Sequence, residues 1–254
     1  MQPRILFEAP VYTMEAAVLA AANGVDRLEL CADYGEGGTS PSAGLLKTIK
    51  ANVSVPVFVM IRPRGGDFVY SDPELQAMEE DIRILGEQGA DGFVLGVLHP
   101  SGQVNEPACA ALLAAAGEKP CTFHRAFDLI PDKLSALEHI ISLGFQRILS
   151  SGGGNRVSEG LPVLQQVMRQ AMGRIVLMPG GGLTTEDLRP LYQTGHLREV
   201  HRSCKRLRTS NGRQVNPPVR LSLLDETEGK ILTVDPDLVR SFRKSLDGLP
   251  GDLC

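Results

Sequence analysis

The chain has 254 residues, 43% hydrophobic and 22% charged, with a formal net charge of −4. That length suits one large α/β domain, and a single α/β barrel commonly has it. The acidic balance and 5% aromatic content exclude the basic stripe of a nucleic-acid-binding surface, and no stretch nears the roughly 18 uninterrupted apolar residues of a membrane span.

The opening "MQPRILFEAP" lacks an apolar h-region followed by a small-residue cleavage site, so no secretory signal is expected. The first strand candidate is 4–9. One local pattern then recurs: "NGVDRLEL" (23–30), "QGADGFVL" (88–95) and "LGFQRILS" (143–150), with looser versions in "MGRIVLMP" (172–179) and "TGHLREVH" (194–201). Each follows a helix-spaced segment, and the glycine is the residue expected just past a helix end, where the backbone turns left-handed. The unit is therefore helix, glycine stop, buried strand, half of a βαβ unit. The strand candidates after the first are 27–31, 55–62, 92–96, 121–127, 147–151, 174–179 and 198–203.

Helix starts are marked between them. Ser71 has Glu74 three residues later and Pro73 in the first turn. Asp132 precedes a stripe of Leu134, Leu137, Ile140 and Ile141, Thr184 precedes "TEDLRPLY", and Asp235 with Pro236 precedes "DLVRSFRKSL". Eight strands alternating evenly with helices predict an α/β fold. It is a single (β/α)8 TIM-type barrel over 1–254, with no linker dividing it. An open doubly wound sheet is the rival, but no GxGxxG follows the first strand. The long excursion 205–233, before the last helix, carries "NG" and "EG" turn signals and predicts a hairpin over one end of the barrel.

Strand alternation then assigns the facing. Outer positions pack on helices, and inner ones turn polar near the C-terminal mouth, where barrel enzymes keep their sites. Ile5, Phe7, Leu28, Leu30, Phe123 and Val200 suit the outside, which aims Glu8, Glu29, Cys31, Arg62, His124, His201 and Ser203 inward. Glu8, Glu29, Arg62, His124 and His201 come from five separate strands and would converge on one mouth. Any one of them alone is explained by a satisfied buried ion network; five together point to a site. In "TFHRAFD", Arg125 and Asp128 are either rim residues or an ion pair.

Two glycine runs leave the same mouth. "SSGGG" offers Gly152 and Gly153, and "PGGG" offers Gly181 and Gly182, as backbone nests for an anion such as phosphate. Tight turns explain them nearly as well. Arg62 and Arg64 in "MIRPRGGDFVYSD" suit carboxylate or phosphate, with an arginine latch onto Glu8 or Glu29 as the plain alternative. Lys205, Arg206 and Arg208 draw in an anion or form a solvated loop. Proton chemistry on a small anionic metabolite would use Glu8 or Glu29 as general base, His124 as general acid or electrophile and Arg62 as clamp. The same carboxylates and imidazoles equally suit Zn or Mn, or no metal at all.

The five cysteines are Cys31, Cys109, Cys121, Cys204 and Cys254. They are odd in number, spread out and without a CxxC, which fits reduced thiols in a cytosol.

The motifs "DRLELC", "EGGTSPSAG", "VFVMIRPRGGDFVYSD", "DIRILGEQGADGFVLG", "TFHRAFD", "RILSSGG" and "RIVLMPGGGL" resemble the CutC-type copper homeostasis proteins, from about residue 5 to about residue 204. The resemblance implies a (β/α) barrel, a cytoplasmic location, a homo-oligomer, and a copper ion bound as Cu(I). The implied metal ligands are two cysteines ending the first two strands. Cys31 matches the second; the first falls at Pro10, which has no sulfur. Cu(I) prefers thiolate and thioether ligands, and Cys204 and Met178 are the sulfurs left to supplement Cys31.

Overall fold

The computed structural model describes residues 4–212 and 227–249. Eight parallel strands form the barrel: β1 (Leu6–Val11), β2 (Arg27–Leu30), β3 (Val57–Met60), β4 (Gly92–Leu95), β5 (Cys121–Phe123), β6 (Arg147–Ser150), β7 (Val176–Pro179) and β8 (Glu199–His201). Hydrogen-bonded ladders run in the order β7-β6-β5-β4-β3-β2-β1-β8. β8 packs along β7 to close the circle at a seam. Gly180, at the top of that seam, has no room for a side chain: a Cβ there would lie 2.4 Å from Leu149 Cδ1 and 2.9 Å from His201 Cβ.

The outer helices are α1 (Met14–Ala22), α2 (Ala43–Lys50), α3 (Asp72–Glu87), α4 (Glu106–Ala116), α5 (Ala126–Leu129), α6 (Lys133–Leu143), α7 (Val157–Ala171), α8 (Leu188–Tyr192) and α9 (Pro236–Asp247). Their ends follow local chemistry. Ser71 and Glu74 form the expected capping box on α3, and Asp132 accepts the Ser135 amide at 3.0 Å to start α6. The recurring glycines Gly24, Gly89, Gly144, Gly173 and Gly195 all take positive φ, from 75° to 110°, which is why a glycine recurs there.

Alternation along the strands splits the molecule into two cores. Phe7, Leu28, Leu30, Val57, Val59, Phe93, Leu95, Phe123, Ile148, Leu177 and Val200 are all buried against the helices. The inner face holds a small apolar cluster of Cys31, Phe58, Met60 and Val94, together with buried charged residues that include Glu8, Arg27, Glu29, Arg147, Glu199 and His201. In the ladders Glu8 lies opposite both Arg27 and His201, so these three side chains share one face.

Several boundaries differ from expectation. β5 stops at Phe123, and the expected run to 127 turns into α5. The Ala126 amide donates to His124 Nδ1 at 3.3 Å and Arg125 pairs with Asp128 at 2.7 Å, and both contacts favour a turn over an extended chain. α8 begins at Leu188 rather than beside Thr184, because the Asp187 carboxylate takes both the amide and the hydroxyl of Thr184, at 2.8 and 2.9 Å.

Within the excursion, β9 (Lys205–Thr209) and β10 (Lys230–Val234) pair antiparallel, Lys205 opposite Val234 and Thr209 opposite Lys230. The residues joining them, 213–226, lie outside the described residues. The ribbon is held on the start of α1, where Arg208 Nη2 reaches Glu15 at 2.6 Å and Thr13 Oγ1 donates to Leu232 O at 3.3 Å. No described helix is long and apolar enough to cross a membrane.

Candidate active site

The C-terminal ends of the strands surround a cavity of ≈ 460 Å³. Of the side chains predicted to converge, Glu29, Arg62, His124 and His201 line it, and Glu8 lies beneath. His201 joins the two carboxylates: Nδ1 is 2.9 Å from Glu8 Oε1, and Nε2 is 3.8 Å from Glu29 Oε2. The second Glu8 oxygen accepts from Arg27.

These contacts separate the two glutamates. Burial alone would raise Glu8, but the Arg27 guanidinium and His201 outweigh it and bring its pKa down to about 2. Glu29 has no arginine against it, and burial pushes it up to about 7, with the His201 charge resisting and the Glu8 charge adding to the rise. Burial works against a charge on His201, yet the Glu29 and Glu8 carboxylates raise its pKa. Glu29 is only 4% exposed, and its Oε1 has no hydrogen-bond partner. The result is a fixed carboxylate, an imidazole oriented by it, and a second carboxylate poised near neutrality, an arrangement able to accept and return a proton. The three groups also bring one ligand atom each within 4.8 Å of one another. Two carboxylates and an imidazole match a borderline divalent ion such as Zn or Mn better than Cu(I).

His124 is a different kind of histidine. Burial and the neighbouring Arg62 charge lower its pKa to about 3, so it is neutral at pH 7 and not an imidazolium acid. Arg62 does not latch onto Glu8 or Glu29; it donates to the carbonyls of Glu36, Gly38 and Gly66 at 2.5, 3.0 and 3.0 Å, joining the loops after β2 and β3.

The remaining predicted residues separate. Arg64 stays out of the cavity lining, because its donors go to Glu74 Oε1 (2.6 Å), Asp67 Oδ1 (2.9 Å) and Val69 O (2.8 Å) within its own loop and the α3 cap. Gly152 and Gly153 do not line the cavity either. The nest they form holds the protein's own carboxylate: Asp128 Oδ1 accepts from the amides of Ser151 and Gly153 and from Ser150 Oγ, at 3.0, 3.1 and 2.6 Å. Arg125 pairs with that same Asp128 and also faces the cavity. Gly181 and Gly182 do line it, with φ of 92° and 65°. The amides of Gly181, Gly182 and Leu183 bond to no backbone acceptor among the described residues. Lys205 and Arg202 complete that wall, while Arg206 and Arg208 face Asp235 and Glu15.

Cys31, Cys204 and Met178 do not gather. Cys31 is fully buried below the mouth, its thiol donating to Glu29 Oε2 at 3.6 Å. Burial and the Glu29 charge hold its pKa well above the usual thiol range. Cys204 lines the cavity, whereas Met178 Sδ accepts from Arg27 deeper in the barrel at 3.4 Å.

Sequence reasoning missed the charged floor. Arg27 bridges Glu8 and Glu199, and Arg147 reaches Glu199 at 3.2 Å. Parity along the strands could have found it: Arg27 is two residues from Glu29 and Glu199 two from His201, so each shares its neighbour's face.

A closed parallel barrel with ionisable groups gathered under its C-terminal mouth is a TIM-type barrel. The sequence profile of the CutC family matches residues 5–206. The chain belongs to that family. It is 44% identical over 238 residues to the human copper homeostasis protein cutC homolog, covering 93% of this chain and 87% of that one. The CutC family protein of Histophilus somni is 37% identical over 237 residues, covering 93% and 97%. The crystal structure of a Streptococcus agalactiae protein, described as the copper homeostasis protein CutC, aligns with a TM-score of 0.73 at 36% identity. It covers 78% of this chain and 97% of that one.

Proposed function

We propose that this chain is an enzyme that moves a proton on a small anionic metabolite held in the barrel mouth. The observation that carries this is Glu29: buried, one carboxylate oxygen without a partner, on the wall of the cavity and beside an imidazole fixed by Glu8. Glu29 takes and returns the proton, His201 shares it, and Glu8 positions His201. Arg202, Lys205 and the free amides of Gly181 and Gly182 give one wall the positive potential an anionic group needs. A Zn or Mn ion, if bound, would be held by Glu8, Glu29 and His201, and would supply Lewis-acid polarisation of a ligand oxygen. The test is incubation in D2O with a panel of phosphorylated and carboxylated metabolites, read by mass spectrometry. Deuterium should enter one class of compound, and Glu29→Gln should slow that exchange by about 100-fold or more. No exchange across the panel, or an unchanged rate in Glu29→Gln, would overturn the reading.

Copper handling is the second reading, favoured by the names of the human and S. agalactiae relatives and by the position of Cys31. Its thiol shares one apolar cluster with the Met60 thioether directly under the mouth, and Cu(I) takes such ligands. On this reading the protein holds Cu(I) through Cys31 in the cytosol, as a homo-oligomer. Pro10 leaves it without the first of the two family cysteines. Anaerobic Cu(I) titration against a competing chelator should show one ion per chain, lost in Cys31→Ser. Equal binding by that variant would rule it out. Light scattering would give the assembly size.

A further inference from the structure

His124 and Arg62 each keep one side-chain nitrogen that bonds to nothing else among the described residues. In His124 the Ala126 amide donates to Nδ1, so Nδ1 carries the lone pair and Nε2 the proton. In Arg62 both terminal nitrogens are committed to loop carbonyls, leaving the Nε–H. His124 is 3% exposed and Arg62 5%, and neither His124 Nε2 nor Arg62 Nε has an acceptor.

A buried donor left without a hydrogen bond is costly, and this mouth carries two. They stand on the same wall, at the ends of β5 and β3. Phe68 touches both: its ring lies under the Arg62 guanidinium carbon at 4.8 Å and meets the imidazole at a 57° tilt with centroids 4.6 Å apart. Gly96 makes room for the imidazole to approach the backbone, since a Cβ there would lie 2.8 Å from His124 Nδ1. Packing thus orients a cationic and a neutral donor whose Nε and Nε2 atoms meet no protein oxygen among the described residues. An oxygen entering the cavity would complete both.

We propose that Arg62 Nε–H and His124 Nε2–H form an oxyanion subsite that receives the oxygen of a small carbonyl compound whose enolate is the intermediate of the proton transfer. This rests on the proton-transfer reading and names its substrate class. In the step, the C–H bond next to the carbonyl breaks and its proton goes to the Glu29 carboxylate. The bond's electron pair becomes the carbon–carbon double bond, and the carbonyl π pair moves onto the oxygen held by the two donors. Return of the proton to the same carbon, from either face, re-forms the carbonyl π bond and closes the cycle without any oxidant or reductant. A neutral imidazole suits this role, because it stabilises developing charge by hydrogen bonding.

Oxalate, a planar mimic of an enolate, and inorganic phosphate are the probes, measured by calorimetry on the full chain. Wild-type protein should bind oxalate. His124→Leu should weaken that binding by about 10- to 100-fold and leave phosphate binding unchanged, while His124→Gln, which keeps a neutral N–H donor, should stay close to wild type. Should the leucine variant fail to fold, NMR of the wild-type His124 Nε2–H decides, since that proton must shift downfield on adding oxalate. An unmoved proton, or oxalate bound equally well by His124→Leu, overturns the subsite. If phosphate binds and oxalate does not, the subsite falls while the proton-transfer reading stands on its own exchange test.

Discussion

The barrel interior has two levels made of the same residue types, and they behave differently. On the floor, Arg27 lies between Glu8 and Glu199, Arg147 adds a second contact to Glu199, and both guanidiniums stack on Phe58 at 4.6 and 4.9 Å. Of these four charged residues, only Arg147 leaves a side-chain nitrogen without a partner. At the mouth, Glu29, Arg62 and His124 each leave an atom unpaired. Burial of charge is therefore common to structure and site, and pairing is what separates them. A floor whose charges are all ion-paired, with one Arg147 nitrogen over, holds the barrel together, and a mouth with three unpaired atoms is open to a ligand.

Breaking the floor should have the largest effect. Arg27→Leu removes the guanidinium shared by Glu8 and Glu199 and leaves them only His201 and Arg147, and we expect a loss of about 3 kcal/mol in urea unfolding. A loss below about 1 kcal/mol would show that the floor is not structural. The pH axis probes the same level without mutation. Glu8 falls from 4.5 to about 2 on folding, so its contribution is full above pH 4.5 and disappears as pH falls toward 2. By linkage the loss is on the order of 3 kcal/mol, measurable as a drop in urea midpoint across that window that Glu8→Gln no longer shows.

Gly160 extends the comparison to the loops. A Cβ on Gly160 would lie 2.0 Å from the Ser151 carbonyl oxygen, so the start of α7 presses directly on the 150–154 loop. Gly160→Ala should cost about 2 kcal/mol through displaced backbone, seen as a lower thermal midpoint, while ligand binding at Gly181 and Gly182 persists. Equal loss of both would mean that the two glycine loops act as one.

Much of this was legible in the sequence because a strand's period of two is a strict geometric rule. Glycine stops gave the strands, parity gave the facing of Glu8, Glu29 and His201, and the barrel's topology did the rest. What was not legible depended on partners distant in sequence. Nothing near "SSGGG" reveals that Asp128 fills that nest, and nothing in "RPRGG" reveals that Arg64 is absorbed by Glu74 while Arg62 holds three carbonyls. Arginine and glycine specify what they can bind, whereas the fold decides which of their own neighbours reaches them first. The charged floor was within reach, since Arg27 obeys the same parity as Glu29; attention to strand ends alone passed over strand beginnings.

The smallest effect discriminates most finely, because its sign is opposite to the rest. Glu29 rises from 4.5 to about 7 on folding, so the folded protein binds its proton more tightly than the unfolded chain does. Stability associated with this group is present below pH 4.5 and is lost as pH climbs to about 7. His201, also raised, works in the same direction at the upper end. A neutral amide removes the cost of ionising that buried carboxylate. The Glu29 rise is worth on the order of 3 kcal/mol, part of which the buried amide's own desolvation cancels. Glu29→Gln should therefore be about 1 kcal/mol more stable than wild type at pH 8, with the gain fading toward pH 4.5, even as it loses activity. Urea unfolding at the two pH values checks this directly. A variant less stable than wild type at pH 8 would mean that Glu29 belongs with the floor, as one more paired structural charge.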